Sequence, residues 1–182
     1  MKLLVVVDYQ KDFVDGALGF PGAELLDAGI AAKIRLYSQC GDYIVQTMDT
    51  HQADYLTTRE GKHLPVKHCI AQTDGWETYG ETARAIGEVE NSPRFRRVNK
   101  ATFPVHPRDM TDLLAWFGDN EISQIEFVGL VSNICVISNV CVFQGAFPHA
   151  QVVIDPCLIA SHDPMAHKAV LEVMRALQVE LL

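Results

Sequence analysis

A strand gives way to a helix within the segment Gly129-Leu130-Val131-Ser132-Asn133-Ile134-Cys135. The apolar run before it, Gln124–Leu130, predicts a buried strand. The stretch after it, Cys135–Phe147, is apolar nearly all round and predicts a deeply buried helix. A polar turn between a buried strand and a buried helix is typical of α/β folds and of the edge at which they bind ligands.

The same alternation recurs along the chain. Further strands are predicted at Leu3–Val7, Tyr43–Met48, Arg94–Val98, Gln151–Ile154 and Val179–Leu182. Further helices are predicted at 26–37, at Met110–Phe117 and from Asp163-Pro164 to Leu177, whereas residues 50–92 show little periodicity and are predicted to be irregular and functional. Alternating strands and helices predict one domain, 1–182, with a three-layer α/β/α architecture and a mostly parallel sheet.

Composition and charge narrow the function. The formal charge of −8 argues against a nucleic-acid-binding surface, which needs clustered Lys and Arg. No apolar stretch approaches the roughly 20 residues of a membrane span, so no membrane partner is predicted. Five cysteines at irregular spacing, without secretory features, predict reduced thiols and a cytoplasmic location. Three of these, Cys40, Cys141 and Cys157, are predicted to be buried apolar residues.

Cys135 is the predicted nucleophile. A thiol in the first turn of a helix faces unpaired N–H groups and the positive end of the helix dipole, which both favour the thiolate. The N–H groups of the same turn can stabilise an oxyanion beside the sulfur. Asp8, which follows the first predicted strand, is the candidate proton acceptor, and Lys100 is the candidate for holding carboxylate and thiolate in place.

A second group of polar residues predicts a divalent metal site. In an extended chain Asp49 and His51 point to the same side, so both can bind one ion. A returning loop brings His68 as a third ligand, and Glu60 binds directly or through water. Two imidazoles with carboxylates suit zinc, and also iron or manganese.

Together these residues resemble the nicotinamidase branch of the isochorismatase-like cysteine hydrolases. The resemblance rests on four segments in the right order: Val6-Val7-Asp8-Tyr9-Gln10-Lys11-Asp12-Phe13, Met48-Asp49-Thr50-His51, His68-Cys69 with Thr73-Asp74-Gly75-Trp76-Glu77, and Gly129 to Val136. It implies six parallel strands, a Rossmann-like topology and a cis peptide bond between Leu130 and Val131. It also implies an oxyanion hole made by the N–H groups of Val131 and Cys135, a catalytic role for Lys100, and a pocket that contains Phe13. The chain departs from the usual pattern at Asn133 and at Lys11.

The resemblance implies a cysteine-dependent amidohydrolase that converts nicotinamide to nicotinate and ammonia through a thioester. Its partner is then a small amide, and self-association is compatible with the apolar Cys135–Phe147 helix. Three alternatives stay open. They are a metal-free hydrolase of N-carbamoyl or ureido compounds, a metal-activated water acting beside an inert Cys135, and a non-catalytic small-molecule-binding protein of the same fold.

Overall fold

Six parallel strands form one sheet at the centre of the molecule. A computed structural model describes all 182 residues. The strands are β1 (Lys2–Val7), β2 (Tyr43–Asp49), β3 (Phe95–Lys100), β4 (Gln124–Leu130), β5 (Gln151–Ala160) and β6 (Glu180–Leu181). Their order is β3-β2-β1-β4-β5-β6, and every neighbouring pair is parallel. The predicted α/β fold with six parallel strands is confirmed.

Seven α-helices connect the strands. They are α1 (Lys11–Val14), α2 (Asp27–Gln39), α3 (Arg59–His63), α4 (Gly80–Val89), α5 (Pro107–Phe117), α6 (Ile137–Ala146) and α7 (Pro164–Ala176). A π-helical turn, Ser132–Val136, lies between β4 and α6. Asp163 caps α7 by accepting hydrogen bonds from the N–H groups of Met165 and Ala166, as its position before a proline predicts. None of the helices combines the length and the apolar character that crossing a membrane requires.

The sheet is covered on both faces, and alternate residues of β1 show how. Leu3, Val5 and Val7 face one apolar core, which includes side chains of α5, α6 and α7. Leu4 and Val6 face a second core, which includes side chains of α2 and α4. Burying each such aliphatic side chain contributes about 1.5–3 kcal/mol to folding. The strand is therefore apolar at every position, as a central parallel strand must be.

The carboxyl ends of four strands bring the polar residues to one edge of the sheet. Asp8 follows β1, Asp49 ends β2 and Lys100 ends β3, and Asp49 is in register with Lys100. The turn that carries Cys135 follows β4. Because the chain runs outward in opposite directions from β1 and from β4, a crevice forms at this edge, where α/β sheets bind ligands.

Gly129 allows β4 to approach β1 closely beside this crevice. Its φ is +114°, and a Cβ atom at this position would lie 2.0 Å from the backbone oxygen of Val7. An L side chain would therefore meet both a strained backbone and a clash. The glycine fixes the position of the turn that begins three residues later, at Ser132.

Three expectations from the sequence are wrong in detail. Residues 50–92 contain α3 and the amphipathic helix α4, whose first N–H groups are capped by Asp27, a residue of α2 that lies far away in sequence. Strand β5 extends to Ala160 rather than to residue 154, because it continues past an irregularity in its pairing with β4. Cys40, Cys141 and Cys157 are exposed rather than buried, and the exposed Cys141 shows that one side of α6 is not covered.

Candidate active site

Asp8 and Lys100 form an ion pair that is closed off from solvent. Asp8 is fully buried and Lys100 is 2% exposed. The distance from Lys100 Nζ to Asp8 Oδ2 is 2.6 Å, and Thr47 Oγ1 donates a hydrogen bond of 2.6 Å to Asp8 Oδ1. Asp8 has a φ of 45°, a left-handed conformation that turns the chain sharply after β1. The structure therefore brings together two residues that the sequence analysis placed in one candidate site.

Cys135 completes a buried trio with Asp8 and Lys100. Its side chain lies in the π-helical turn after β4, and the distance between its Sγ and Lys100 Nζ is 3.9 Å. The three side chains come from the ends of β1 and β3 and from the turn after β4. An acid, an ammonium group and a thiol therefore converge at one point, which is the arrangement that nucleophilic catalysis by cysteine needs.

The protonation states in the trio differ from the sequence expectation for the thiol. Burial raises the pKa of Cys135 well above its ordinary value, although Lys100 acts to lower it. Burial strips the thiolate of its solvation, and the carboxylates of Asp8 and Asp49 add to the rise, so the thiolate predicted from the helix position is not the favoured form. Burial lowers the pKa of Lys100, yet the carboxylate of Asp8 outweighs it and the pKa is raised overall. The resting trio therefore contains a neutral thiol and a charged lysine.

Asp8 is suited to take the proton of that thiol. Burial raises the pKa of Asp8 above its ordinary value, while Lys100 opposes the shift. A carboxylate with a raised pKa is a stronger proton acceptor than one in water. The thiolate can then form only together with a protonated Asp8, which keeps the net charge of the buried site constant.

The backbone beside Cys135 offers donors to an oxyanion. The peptide bond between Leu130 and Val131 is cis, as the family resemblance implies. The N–H of Val131 donates to no acceptor within the protein, whereas the carbonyl of Val131 accepts from the N–H groups of Ile134 and Val136. Ser132 Oγ lies 2.9 Å from His167 Nδ1, which ties the turn to α7. Local sequence pattern indicates no role for His167, since the contact joins residues 35 positions apart.

Asp49, His51, Glu60 and His68 form a four-donor cluster. One ligand atom from each residue lies within 4.8 Å of those of the others. His51 Nε2 is 3.0 Å and His68 Nε2 is 3.4 Å from Asp49 Oδ2, and Glu60 Oε1 is 3.6 Å from His51 Nε2. The structure thus places side by side the four residues that the sequence analysis named as candidate metal ligands.

The donor set fits a divalent transition metal. His68 Nδ1 lies 2.8 Å from the carbonyl oxygen of Val66, so Nδ1 carries the proton and the lone pair of Nε2 faces the cluster. Burial would raise the pKa of Asp49, but its interactions with His51, His68 and Lys100 outweigh burial and hold it below the ordinary value. Two imidazoles and two carboxylates pointing at one position suit zinc, iron or manganese.

Two further residues support the four-donor cluster and were missed in the sequence. Gln10 Oε1 accepts from the N–H of Asp49 at 2.7 Å, and its Nε2 donates to the carbonyl of Asp49 at 2.9 Å. The ring of Tyr55 lies 4.5 Å from that of His51 and 5.0 Å from that of His68. Burial raises the pKa of Tyr55 to about 12, so its hydroxyl stays protonated and donates to Leu64 O. The only signal for Gln10 was its place two residues after Asp8.

An apolar cavity of about 380 Å³ joins the trio to the cluster. Its lining includes Cys135 and Val131 and also Asp49, Glu60 and His68 of the four-donor cluster. Its remaining walls are largely apolar and include Phe13, Leu18, Leu64, Phe103 and Ile134. Phe13 also packs against His68, with 5.5 Å between ring centroids. The cavity can hold a small planar molecule between a nucleophile and a metal site.

Comparisons with known proteins agree with this picture. A family model described as the isochorismatase domain matches residues 2–182. The pyrazinamidase/nicotinamidase of Streptococcus mutans is 25% identical, with a TM-score of 0.88 over 100% of both chains. The pyrazinamidase of Pyrococcus horikoshii, solved in complex with zinc, is 22% identical, with a TM-score of 0.81 over 100% of this chain and 98% of that one.

A third structure represents a different amide substrate. The N-carbamoylsarcosine amidase of Thermoplasma acidophilum is 20% identical, with a TM-score of 0.76 over 100% of this chain and 95% of that one. No curated protein matches the sequence. At these identities the structural likenesses establish the fold, and the family model covers nearly the whole chain.

Proposed function

The chain belongs to the isochorismatase family, and on that premise we propose that it is a cysteine-dependent amidohydrolase whose substrate is nicotinamide. Hydrolases of this family act on amides. The observation that carries the proposal is the buried trio, in which Lys100 Nζ is 2.6 Å from Asp8 Oδ2 and 3.9 Å from Cys135 Sγ. The trio opens into an apolar cavity of the size of a small aromatic amide.

The first half of the proposed reaction forms a thioester and releases ammonia. Asp8 accepts the proton of Cys135, and Lys100 stabilises the thiolate. The sulfur then attacks the carboxamide carbon, and the N–H groups of Val131 and Cys135 stabilise the oxyanion. As the C–N bond breaks, Asp8 returns its proton to the leaving nitrogen, which departs as ammonia.

The second half hydrolyses the thioester. Asp8, again a carboxylate, takes a proton from water while the water oxygen attacks the thioester carbon. The C–S bond breaks, the proton passes to the sulfur, and the carboxylic acid leaves. The thiol and the carboxylate of the resting trio are thereby restored, so one carboxylate acts in both halves.

The four-donor cluster supports nicotinamide over the metal-free N-carbamoyl alternative. Asp49, His51, Glu60 and His68 would hold the ion, and zinc is our proposal because the donors suit it and the Pyrococcus horikoshii pyrazinamidase binds it. The ion would supply a Lewis acid that binds the pyridine nitrogen of nicotinamide. Phe13, which lies beside His68, would pack against the pyridine ring of the bound nicotinamide. We also propose a cytoplasmic location, which the five free cysteines support.

The test compares Cys135→Ala with Cys141→Ala, which removes an exposed thiol from the same region. Ammonia release from nicotinamide should fall by roughly 10³-fold or more in Cys135→Ala and should not change in Cys141→Ala. Metal content, measured on the same samples, should be equal in both variants. If Cys135→Ala keeps more than about one per cent of the activity, the thioester mechanism is wrong. If an N-carbamoyl compound is cleaved and nicotinamide is not, the substrate is wrong.

A further inference from the structure

The four-donor cluster separates two depressions of different chemistry. On one side the apolar cavity touches Asp49, Glu60 and His68. On the other side lies a groove of about 580 Å³, here called the polar groove, which touches His51 and Glu60. Glu60 and Phe103 line both. The cluster can therefore be reached without passing Cys135.

The walls of the polar groove carry more polar side chains than those of the apolar cavity, although Phe103 and Val105 also line the groove. Its walls include side chains with oxygen and nitrogen atoms, among them Gln52, Asp54, Arg59 and Thr102. The walls of the apolar cavity include Leu18, Leu64 and Phe13. A divalent ion moving past apolar walls loses hydration without compensation, whereas polar side chains replace the water that the ion gives up.

Two charged residues of the polar groove are free to act on a passing ion. Asp54 and Arg59 are exposed, and neither side chain takes part in a hydrogen bond or an ion pair within the protein. An unpaired carboxylate at the mouth of a groove attracts a cation and speeds its arrival, and an unpaired guanidinium slows it. Their effects on the rate of metal uptake should thus have opposite signs.

We infer that the polar groove is the route by which the metal ion enters and leaves the four-donor cluster, whereas the amide substrate enters through the apolar cavity. The inference rests on the metal site of the proposed function. It makes Glu60, the donor that faces both depressions, the first ligand an arriving ion meets. It also means that the ion can exchange while an aromatic ligand fills the apolar cavity.

The first experiment measures uptake of Zn²⁺ by the full chain after stripping with a chelator, followed in stopped flow with a fluorescent zinc indicator. At low ionic strength Asp54→Asn should lower the second-order rate constant roughly two- to fivefold, and Arg59→Gln should raise it by a similar factor. Both effects should shrink in about 0.5 M salt, because the salt screens exposed charges. Asp119→Asn and Arg84→Gln make the same charge changes on other exposed surfaces and should leave the rate constant unchanged.

The second experiment blocks one depression at a time. Gln52→Trp narrows the polar groove and should slow zinc uptake without raising KM for nicotinamide. Leu18→Trp narrows the apolar cavity and should raise KM without slowing uptake. If Leu18→Trp slows uptake and the groove variants do not, or if the stripped chain takes up no zinc, the inference is overturned. If uptake follows the groove charges while no amide is cleaved, the route stands and the proposed function fails.

Discussion

The buried trio and the four-donor cluster lie against the same cavity, but the fold builds them in different ways. Two residues of the trio, Asp8 and Lys100, stand at the carboxyl ends of β1 and β3, the two strands that flank β2, so the parallel sheet brings both to one edge. In the cluster only Asp49 belongs to a strand, whereas Glu60 lies in the short helix α3 and His68 in a loop. The trio depends on the sheet, and the cluster depends on how one long connection folds back.

Asp49 is the residue that joins the two groups. Its Oδ2 faces both histidines of the cluster, while its Oδ1 lies 3.9 Å from Lys100 Nζ. Side chains elsewhere in either group should therefore be separable by mutation. A change in the trio should remove turnover and leave the metal in place, and a change in the cluster should remove the metal and leave the thiol intact.

Asp8→Asn should have the largest effect on turnover and is the most direct test of the trio. Without its proton acceptor the protein should lose at least about 10³-fold in turnover. The Asp8 carboxylate also raises the pKa of Cys135, and Lys100 lowers it, so the variant leaves the thiol beside an ammonium group that only the more distant Asp49 opposes. Its pKa should fall, and alkylation by iodoacetamide near pH 7 should become roughly tenfold faster.

Asp8→Asn should thus lower the turnover of the amide and raise the alkylation rate of Cys135. In the wild-type protein the alkylation rate should rise steadily with pH through the neutral range, because burial raises the pKa of Cys135. In the variant the same curve should be displaced to lower pH. A loss of turnover accompanied by slower alkylation would mean that Asp8 activates the sulfur in the resting state, contrary to the scheme.

Lys100→Met tests the trio through stability. Removing one partner of a buried ion pair leaves a buried carboxyl group without its counter-ion, which typically costs about 3–5 kcal/mol. Asp8 already has a pKa above its ordinary value of 3.8, and the loss of Lys100 raises it further. A group whose pKa is raised in the folded state contributes stability that is fully present below its unfolded-state pKa. That contribution is lost as the pH rises through its folded-state pKa. The deficit relative to the wild type should therefore grow as pH rises above the folded-state pKa of Asp8 in the wild type.

Urea unfolding at several pH values measures that deficit. Lys168→Met is the matched control, because Lys168 is exposed and has no ion pair, and it should change the free energy of unfolding by less than about 0.5 kcal/mol. A deficit for Lys100→Met that stays the same from pH 4 to 8 would contradict the assignment of a charged pair.

His68→Asn tests the cluster. The variant removes one of two imidazoles, so bound metal should fall well below one ion per chain and turnover should drop by about 100-fold. Cys135 should react with iodoacetamide as fast as in the wild type, because the trio is intact. His63→Asn changes an exposed histidine five residues away and should retain the metal. If His68→Asn loses activity while keeping a full equivalent of metal, then His68 acts on the substrate rather than on an ion.

The contrast between sheet and connection also explains what the sequence could predict. The apolar strand Leu3–Val7 and the polar residue after it place Asp8 at the carboxyl edge, and the same logic places Cys135 after β4. The helix α4 was not predicted, because its cap comes from Asp27 rather than from a neighbour in sequence. Nor could local pattern show that Cys135 is a neutral thiol, since burial is set by the packing of the whole edge.

The residues that support the four-donor cluster could not be predicted from local sequence pattern, for a related reason. Gln10 holds both backbone polar groups of Asp49, a contact that spans 39 positions and joins the loop after β1 to the end of β2. Nothing in the residues around Gln10 distinguishes it from a solvated glutamine. Its importance can be measured all the same, since it orients a metal ligand without touching the metal.

Gln10→Ala should produce the smallest of these effects, a roughly tenfold loss of zinc affinity. The variant leaves the N–H and the carbonyl of Asp49 without their partners, so the carboxylate loses its fixed orientation toward the histidines. Gln46→Ala is the matched control, because Gln46 is equally buried on β2 but donates to Thr78 rather than to Asp49. Competition with a chelator of known affinity separates the two. Equal zinc affinities in both variants, with equal losses of stability, would show that Gln10 only holds the loop in place. In that case the alignment of Asp49 toward the histidines would not depend on Gln10.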